Sequence, residues 1–227
     1  MLVQSDYLYF LFAVIFLMSV LFSMLINRLM LKFSTNLGMR KKDTTQEVRW
    51  SSTSKPALGG ISFFIVFLIS VSLLGALPTE TPEVFDLRVL GIVTASILGF
   101  LLGLADDAYN TNPLVKFMGQ LTCAFILITT GVSIELTGVY PVDFIFTIIW
   151  VIGLMNSINM LDNMDAITTN VSISIVIGTI CILAFSGNYN SVYMVLLIGV
   201  LGALAGFLYF NWNPSSMYMG DTDSQFL

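Results

Sequence analysis

Apolar residues run in long stretches broken by short polar ones. Seven stretches have helical length: residues 7–31, 57–77, 87–104, 114–131, 143–161, 170–186 and 191–210. A membrane-crossing helix needs about 20 mostly apolar residues. None of the stretches alternates with the two-residue period of a barrel strand. The pattern predicts an all-α protein, a polytopic transmembrane helix bundle with about seven spans forming one domain over residues 1–227. Thr, Ser and Gly interrupt the fourth and sixth stretches. The first is too long for a signal-peptide core and has no basic segment before it, so it reads as a retained helix.

Composition agrees with the pattern. The chain is 56% hydrophobic and 10% charged, where soluble domains carry about 25% charged residues. The net charge of −5 says little about partners because the charges are segregated, and the lack of a basic stripe argues against nucleic acid. Cys123 and Cys181 both lie in apolar stretches and read as small buried hydrophobes. With no histidine in the chain, the two cysteines do not make a zinc site.

Charge then orients the bundle. Seven of the nine Lys and Arg lie in or beside the first loop, from Arg28 to Lys55. The positive-inside rule makes that loop cytoplasmic and the amino terminus external. Alternation of the spans puts the loop with Asp106 and Asp107, the loop with Asp162 and Asp165, and the segment with Asp221 on the cytoplasmic side. A miscount by one span would split these acids across the membrane.

Carboxylates at a membrane boundary are costly unless hydrated, paired or bound to a cation. Clustered acids with Asn nearby make an oxygen-rich site suited to Mg²⁺, which usually keeps waters and shares substrate phosphates. Asp106 and Asp107 are adjacent and do not face each other on a helix, so two jobs are expected. Asn156, Asn159, Asp162 and Asp165 recur every three residues; the pattern predicts a helix ending near Leu161, with the acids turning into a loop and Asn163 as a left-handed cap. Asp221, after Gly220, reads either as a cation ligand or as part of a plain turn. Lys116 either snorkels or holds a phosphate as a point charge. Gln120 reads as a packing or interhelical residue. Lys55, before Pro56, Gly59 and Gly60, is a further phosphate candidate.

Taken in order, Pro56 with Gly59-Gly60, Asp106-Asp107 with Lys116, Gly119 and Gln120, Asn156-x-x-Asn159-x-x-Asp162-x-x-Asp165, and Phe210-Asn211-x-x-Pro214 with Gly220-Asp221 resemble the polyprenyl-phosphate N-acetylhexosamine-1-phosphate transferase family. The resemblance covers almost the whole chain. It implies transfer of a sugar-1-phosphate from a UDP-N-acetylhexosamine, UDP-N-acetylglucosamine first by base rate, to polyprenyl (undecaprenyl) phosphate. The products are a lipid diphosphosugar and UMP, and Mg²⁺ or Mn²⁺ is required. The implied roles are metal ligation by Asp221 and Asp107, catalysis by Asp106, Asp107, Asp162 and Asp165, and substrate binding by Lys55, Lys116, Asn156 and Asn159. The implied place is the bacterial inner membrane with the site at its cytoplasmic face; membrane lipids are partners and a homodimer is compatible. The family runs to ten or eleven spans and carries a later His-bearing loop. The chain is therefore expected to be truncated at its carboxyl end and inactive or nearly so, with the residues after Asp221 unsupported.

Two other classes compete. A CDP-alcohol phosphotransferase needs a longer Asp and Arg series, and no Arg follows Arg88. A cation transporter places its acids near mid-membrane in broken helices, whereas these acids lie at one face.

Overall fold

The computed structural model describes residues 2–37, 59–73, 86–162, 164–188 and 191–226. Within them run seven long helices: α1 (Leu2–Leu37), α2 (Gly59–Leu73), α3 (Leu87–Tyr109), α4 (Pro113–Thr129), α5 (Tyr140–Leu161), α6 (Ile167–Phe185) and α7 (Val192–Asn211). A single turn, α8 (Asp221–Ser224), follows. Five helices (α1, α3, α5, α6 and α7) are long and apolar enough to cross a membrane by length and composition. Described α2 has 15 residues and α4 has 17, short of the ~20 of a typical span. The architecture is a polytopic membrane helix bundle.

α7 forms the centre. It is apolar all round and largely buried, against α1, α2 and α6. Lipid tails are as apolar as leucine, so helices associate through close packing and hydrogen bonds rather than water exclusion. α7 follows that logic. A Cβ at Gly202 would lie 2.6 Å from Ser19 Cβ, and one at Gly206 2.6 Å from the Val20 carbonyl oxygen, so α1 approaches at backbone distance. Ser23 Oγ donates to the Ala203 carbonyl at 2.7 Å. Asn27 Nδ2 donates to Ser62 Oγ at 3.0 Å, joining α1 to α2. By contrast, α5 exposes Ile145, Ile149, Trp150 and Leu154, an apolar surface fit for lipid.

The helix ends explain the departures from the expected boundaries. α3 continues past residue 104 to Tyr109, so Asp106 and Asp107 lie in its last turn rather than in a loop. The helix stops because Asn110 adopts the left-handed conformation (φ 50°) with its N–H bonded to the Asp106 carbonyl. Asn112 then caps α4, accepting from Leu114 N at 2.9 Å, with Pro113 in the first turn, where its fixed φ suits helix entry. α5 starts at Tyr140 rather than 143, again with Pro in its first turn. Its buried Asp143 accepts from the backbone N–H groups of Leu136, Thr137 and Gly138 and from Thr137 Oγ1. That carboxylate is a loop clamp at the end of the bundle away from the acidic residues. α6 starts at Ile167 rather than 170, and α1 runs over Leu2–Leu37 rather than 7–31. The expected burial of Cys181 is wrong: it is exposed on α6, while Cys123 is buried. Asn163 lies outside the described residues, so its expected capping role does too.

Candidate active site

Four segments meet at one end of the bundle: the last turn of α3, the first turn of α4, the end of α5, and α8 with the residues before it. The segment from Trp212 to Gly220 would be an irregular strap by composition, yet carboxylates hold it at several points. Asp165 accepts from Ser215 N at 3.0 Å, Ser215 Oγ at 2.7 Å and Asn213 Nδ2 at 3.2 Å. Asn211 accepts from Ala166 N at 3.1 Å and Thr169 Oγ1 at 2.7 Å, and donates to the Met217 carbonyl at 3.1 Å. Asp162 accepts from Gly220 N at 2.8 Å. Gly220 sits at φ +89°, a conformation that only glycine adopts without strain. Asp107 accepts from Asp221 N at 3.1 Å, from Thr222 N at 2.8 Å and from Thr222 Oγ1.

The two adjacent acids of α3 thus have different partners. Asp107 faces the amino-terminal N–H groups of α8 and sets its position, so most of its acceptor capacity is engaged there. Asp106 turns the other way. Its carboxylate accepts from Thr111 N at 2.9 Å and Thr111 Oγ1 at 2.6 Å and pairs with Lys116 Nζ at 2.9 Å. Lys116 also lies 3.8 Å from Asp221. Asn159 Nδ2 donates to Asp221 and, at 2.8 Å, to Ser224 Oγ. Asp106 and Asp221 are themselves hydrogen-bonding neighbours. The Asp221 side chain is 36% exposed against 11% for Asp106, so Asp221 is the more open of the two.

Lys116 is the single Lys or Arg beyond Arg88, and it lies within ion-pair distance of Asp106 and Asp221. Burial pushes the Asp162 carboxyl up to about 7; the Gly220 N–H opposes the shift, and Asp221 and Asp107 add to it. Burial also lifts Asp221 above the usual carboxylate range, with Asp106 and Asp107 reinforcing the rise and Asn159 and Lys116 opposing it. Such groups hold protons in the folded state that the unfolded chain has lost. Folding stability therefore falls as pH rises from about 4 to about 7 and levels off above. The expected result, in EDTA, is a thermal midpoint that drops across that window, with the drop reduced in Asp162→Asn. A midpoint independent of pH from 4 to 7 in the parent protein would contradict the burial of these acids.

The donor set also decides which cation the site suits. Among the described residues, no group of three His, Cys, Asp or Glu side chains is arranged to hold a metal alone. Mg²⁺ does not need one, because it is commonly bound by one or two carboxylates together with waters and substrate phosphate oxygens. Asp221 and Asp106 are adjoining carboxylates, Asp221 partly open and Asp106 largely buried, with Lys116 beside both. The residues fit Mg²⁺ as ligands shared with a phosphate substrate.

Several expected residues land elsewhere. Asn156 lies below the acidic cluster and pairs with Gln120, which accepts from Asn156 Nδ2 at 2.8 Å. Asp165 clamps the strap rather than joining Asp106 and Asp221. Lys55 lies outside the described residues. The segment after Asp221 is not the unsupported end that the sequence led us to expect. Thr222, Ser224 and Gln225 are buried, and the Phe226 ring packs edge-on to Phe67 at 5.2 Å and to Phe64 at 6.1 Å. Sequence reasoning missed Gly99 and Gly103 on α3, Gln225 and Ser215, and it read Thr222 and Ser224 as phosphate candidates, whereas Thr222 bonds to Asp107. A Cβ at Gly99 would lie 2.6 Å from the Gln225 carbonyl oxygen, and one at Gly103 2.6 Å from Thr222 Cα. Their Gly-x-x-x-Gly spacing in an apolar run was the available signal, since such pairs let backbones approach.

Comparison with known proteins identifies the family. The family profile of glycosyl transferase family 4 matches residues 89–227, which include Asp106, Asp107, Lys116, Asn159, Asp162 and Asp221. A probable undecaprenyl-phosphate N-acetylglucosaminyl 1-phosphate transferase of Bacillus subtilis is 28% identical over 94% of this chain and 59% of its own length. A decaprenyl-phosphate N-acetylglucosaminephosphotransferase of Mycolicibacterium smegmatis is 27% identical over 76% of this chain and 47% of its own. A phospho-N-acetylmuramoyl-pentapeptide-transferase of Staphylococcus carnosus is 26% identical over 82% and 63%. The chain thus spans about half to three fifths of the length of these curated relatives. With well over half of its residues inside the family profile, the chain belongs to glycosyl transferase family 4, an integral membrane family in keeping with its apolar helices.

Proposed function

We propose that the protein transfers N-acetylhexosamine-1-phosphate from a UDP-sugar to polyprenyl phosphate, releasing UMP, as the first membrane step of a cell-envelope polysaccharide. One observation carries this reading: Asp106, Asp162, Asp221 and Lys116, distant in sequence, converge at one end of a lipid-facing bundle. That arrangement suits two phosphate substrates, one water-borne and one anchored in lipid. The names of the relatives support polyprenyl phosphate as acceptor and N-acetylglucosamine as the first donor to test.

The reaction follows from the charges. An oxygen of the lipid phosphate attacks the sugar-bearing phosphorus of the nucleotide diphosphate. The bond from that phosphorus to the bridging oxygen breaks, and UMP leaves with the oxygen and its electron pair. Phosphoryl transfer relies on positioning and charge neutralisation. Mg²⁺, when bound, neutralises the diphosphate charge. Asp221 and Asp106 are the residues that would hold the ion, and Asn159 fixes the Asp221 carboxylate. Lys116, already between Asp106 and Asp221, supplies the point charge for a phosphate. Asp162 accepts from the Gly220 N–H and so holds the turn that leads into Asp221. Asp107 and Asp165 act through the strap that carries Asp221.

The basic first loop supports a cytoplasmic site in a bacterial inner membrane, with the amino terminus outside. Both the chemistry and the sidedness are tested with membrane vesicles. Mg²⁺-dependent UMP release is expected from inverted vesicles that carry the protein at the length of its relatives, given polyprenyl phosphate and UDP-N-acetylglucosamine, with Mn²⁺ as a substitute and EDTA abolishing it. Sealed right-side-out vesicles are expected to release none until permeabilised. Absence of UMP with every common UDP-N-acetylhexosamine in the presence of metal would overturn the proposal.

A further inference from the structure

Beneath the acidic cluster, three side-chain amides from three segments form one group, with Gln120 and Gln225 buried and Asn156 partly buried. Gln120 of α4 is 1% exposed and Gln225, just after α8, is 2% exposed. Gln120 Nε2 donates to Gln225 Oε1 at 2.8 Å and to Asn156 Oδ1 at 3.2 Å. Asn156 Nδ2 returns a bond to Gln120 Oε1 at 2.8 Å and also reaches the Ile152 carbonyl at 2.9 Å. Gln225 Nε2 has no hydrogen-bond partner among the described residues.

We propose that Gln225 is a positioning residue: through its bond to Gln120 it locks α8, and with it Asp221, at the metal-binding end of the bundle. The proposal rests on the functional reading above. α8 is a single turn, too short to hold itself in place, because helix nucleation is unfavourable without tertiary support. At its start Asp107 accepts its N–H groups. At its finish the only side-chain amide link to α4 is the Gln120–Gln225 bond, among the described residues. Asp221 is therefore held between two fixed ends. The unpartnered Nε2 shows which half of the Gln225 amide matters: its oxygen is bonded and its nitrogen is not. A buried donor without a partner is unfavourable, so Gln at this position is not explained by its donor. Its acceptor remains as the reason.

That asymmetry gives the test. Gln225→Met keeps length and apolar volume but removes the acceptor. Gln225→Glu keeps an acceptor and, because burial holds a carboxyl protonated, adds no charge. Gln120→Met breaks the same bond from the other side, together with the two bonds to Asn156, and keeps the test open if Gln225→Met does not fold. Two readouts are used on detergent-purified protein: Mn²⁺ binding by electron paramagnetic resonance, and the Mg²⁺ dependence of UMP release. Loss of a group that orients a metal ligand weakens metal binding about 10-fold or more. We expect that loss in Gln225→Met and Gln120→Met, with no further loss in the double variant because one bond is shared. Gln225→Glu should stay within about threefold of the parent, well short of that loss. The KM for the UDP-sugar should move little while the Mg²⁺ requirement rises. Equal effects of Met and Glu at 225, additive single effects, or unchanged Mn²⁺ affinity would each overturn the lock. Failure of the functional reading is distinguishable, since it would remove UMP release from the parent while the Mn²⁺ arm still reports on α8.

Discussion

Replacing Asp221 by Asn is expected to remove nearly all metal-dependent turnover while leaving the bundle folded. Asp221 is the most open carboxylate of the pair it makes with Asp106, and its backbone is held independently by Asp107. The substitution therefore deletes a charge without freeing the segment that carries it. Single electrostatic contacts at reacting oxygens are worth about 10²–10³ in kcat. A loss in that range is expected at low Mg²⁺, with part of it recovered at high Mg²⁺. Stability should move the other way. Asp221 is held above the usual carboxylate range mainly by burial, so its ionised form is disfavoured in the folded state at neutral pH. In EDTA at pH 7, Asp221→Asn should raise the thermal midpoint or leave it unchanged. A residue that is strained when empty and needed when loaded fits the trade between function and stability. Unchanged turnover at low Mg²⁺ would remove Asp221 from the ligand set.

The second large effect is expected from a residue with no polar atom in its side chain. A Cβ added at Gly103 would collide with the Asp221 carbonyl oxygen and lie 2.6 Å from Thr222 Cα and 2.7 Å from Asp221 C. These are backbone atoms and cannot rotate away, so Gly103→Ala must push α8 from α3. A shift of about 1 Å at a reacting geometry costs on the order of 10²-fold in rate. The expected result is a loss of that size with the protein still extractable and monodisperse. Two controls sharpen it. Gly119→Ala meets only the branched end of Leu102, which can repack, and should be mild. Gly153→Ala meets nothing within 4 Å and should be neutral or slightly stabilising, since Ala is the better helix former by up to about 1 kcal/mol. If Gly103→Ala retains full activity, α8 is more yielding than its packing implies.

Much of this protein was legible before any coordinates. Long apolar runs in a chain with 10% charged residues leave few alternatives to membrane helices, because an unpaired backbone in lipid is too costly for other structures. The end of α5 at Leu161 followed from the Asn and Asp residues that begin there. Family membership followed from ordered motifs, and the profile match carries it. The sequence could also name the acids, because carboxylates beside apolar runs are rare enough to stand out.

What each acid does was decided only by tertiary structure. Asp106, Asp107, Asp162 and Asp165 are the same functional group, and spacing cannot say which accepts a backbone N–H and which faces an opening. The folded chain separates them: Asp107, Asp162 and Asp165 bond to the strap or to α8, and Asp106 pairs with Lys116. The boundaries of α3, α5 and α6 were misjudged for a related reason. Asp106 and Asp107 look like loop until the left-handed Asn110 shows where α3 stops, and Pro141 looks like loop until it is seen in the first turn of α5. The docking of α8 was hidden because it depends on Gly99 and Gly103 having no side chain, and on Gln120 and Gln225 meeting across 105 positions. Local pattern fixes which segments are helices and which face is apolar. Where a single buried turn sits is set by contacts distant in sequence, and only the packed bundle brings those together.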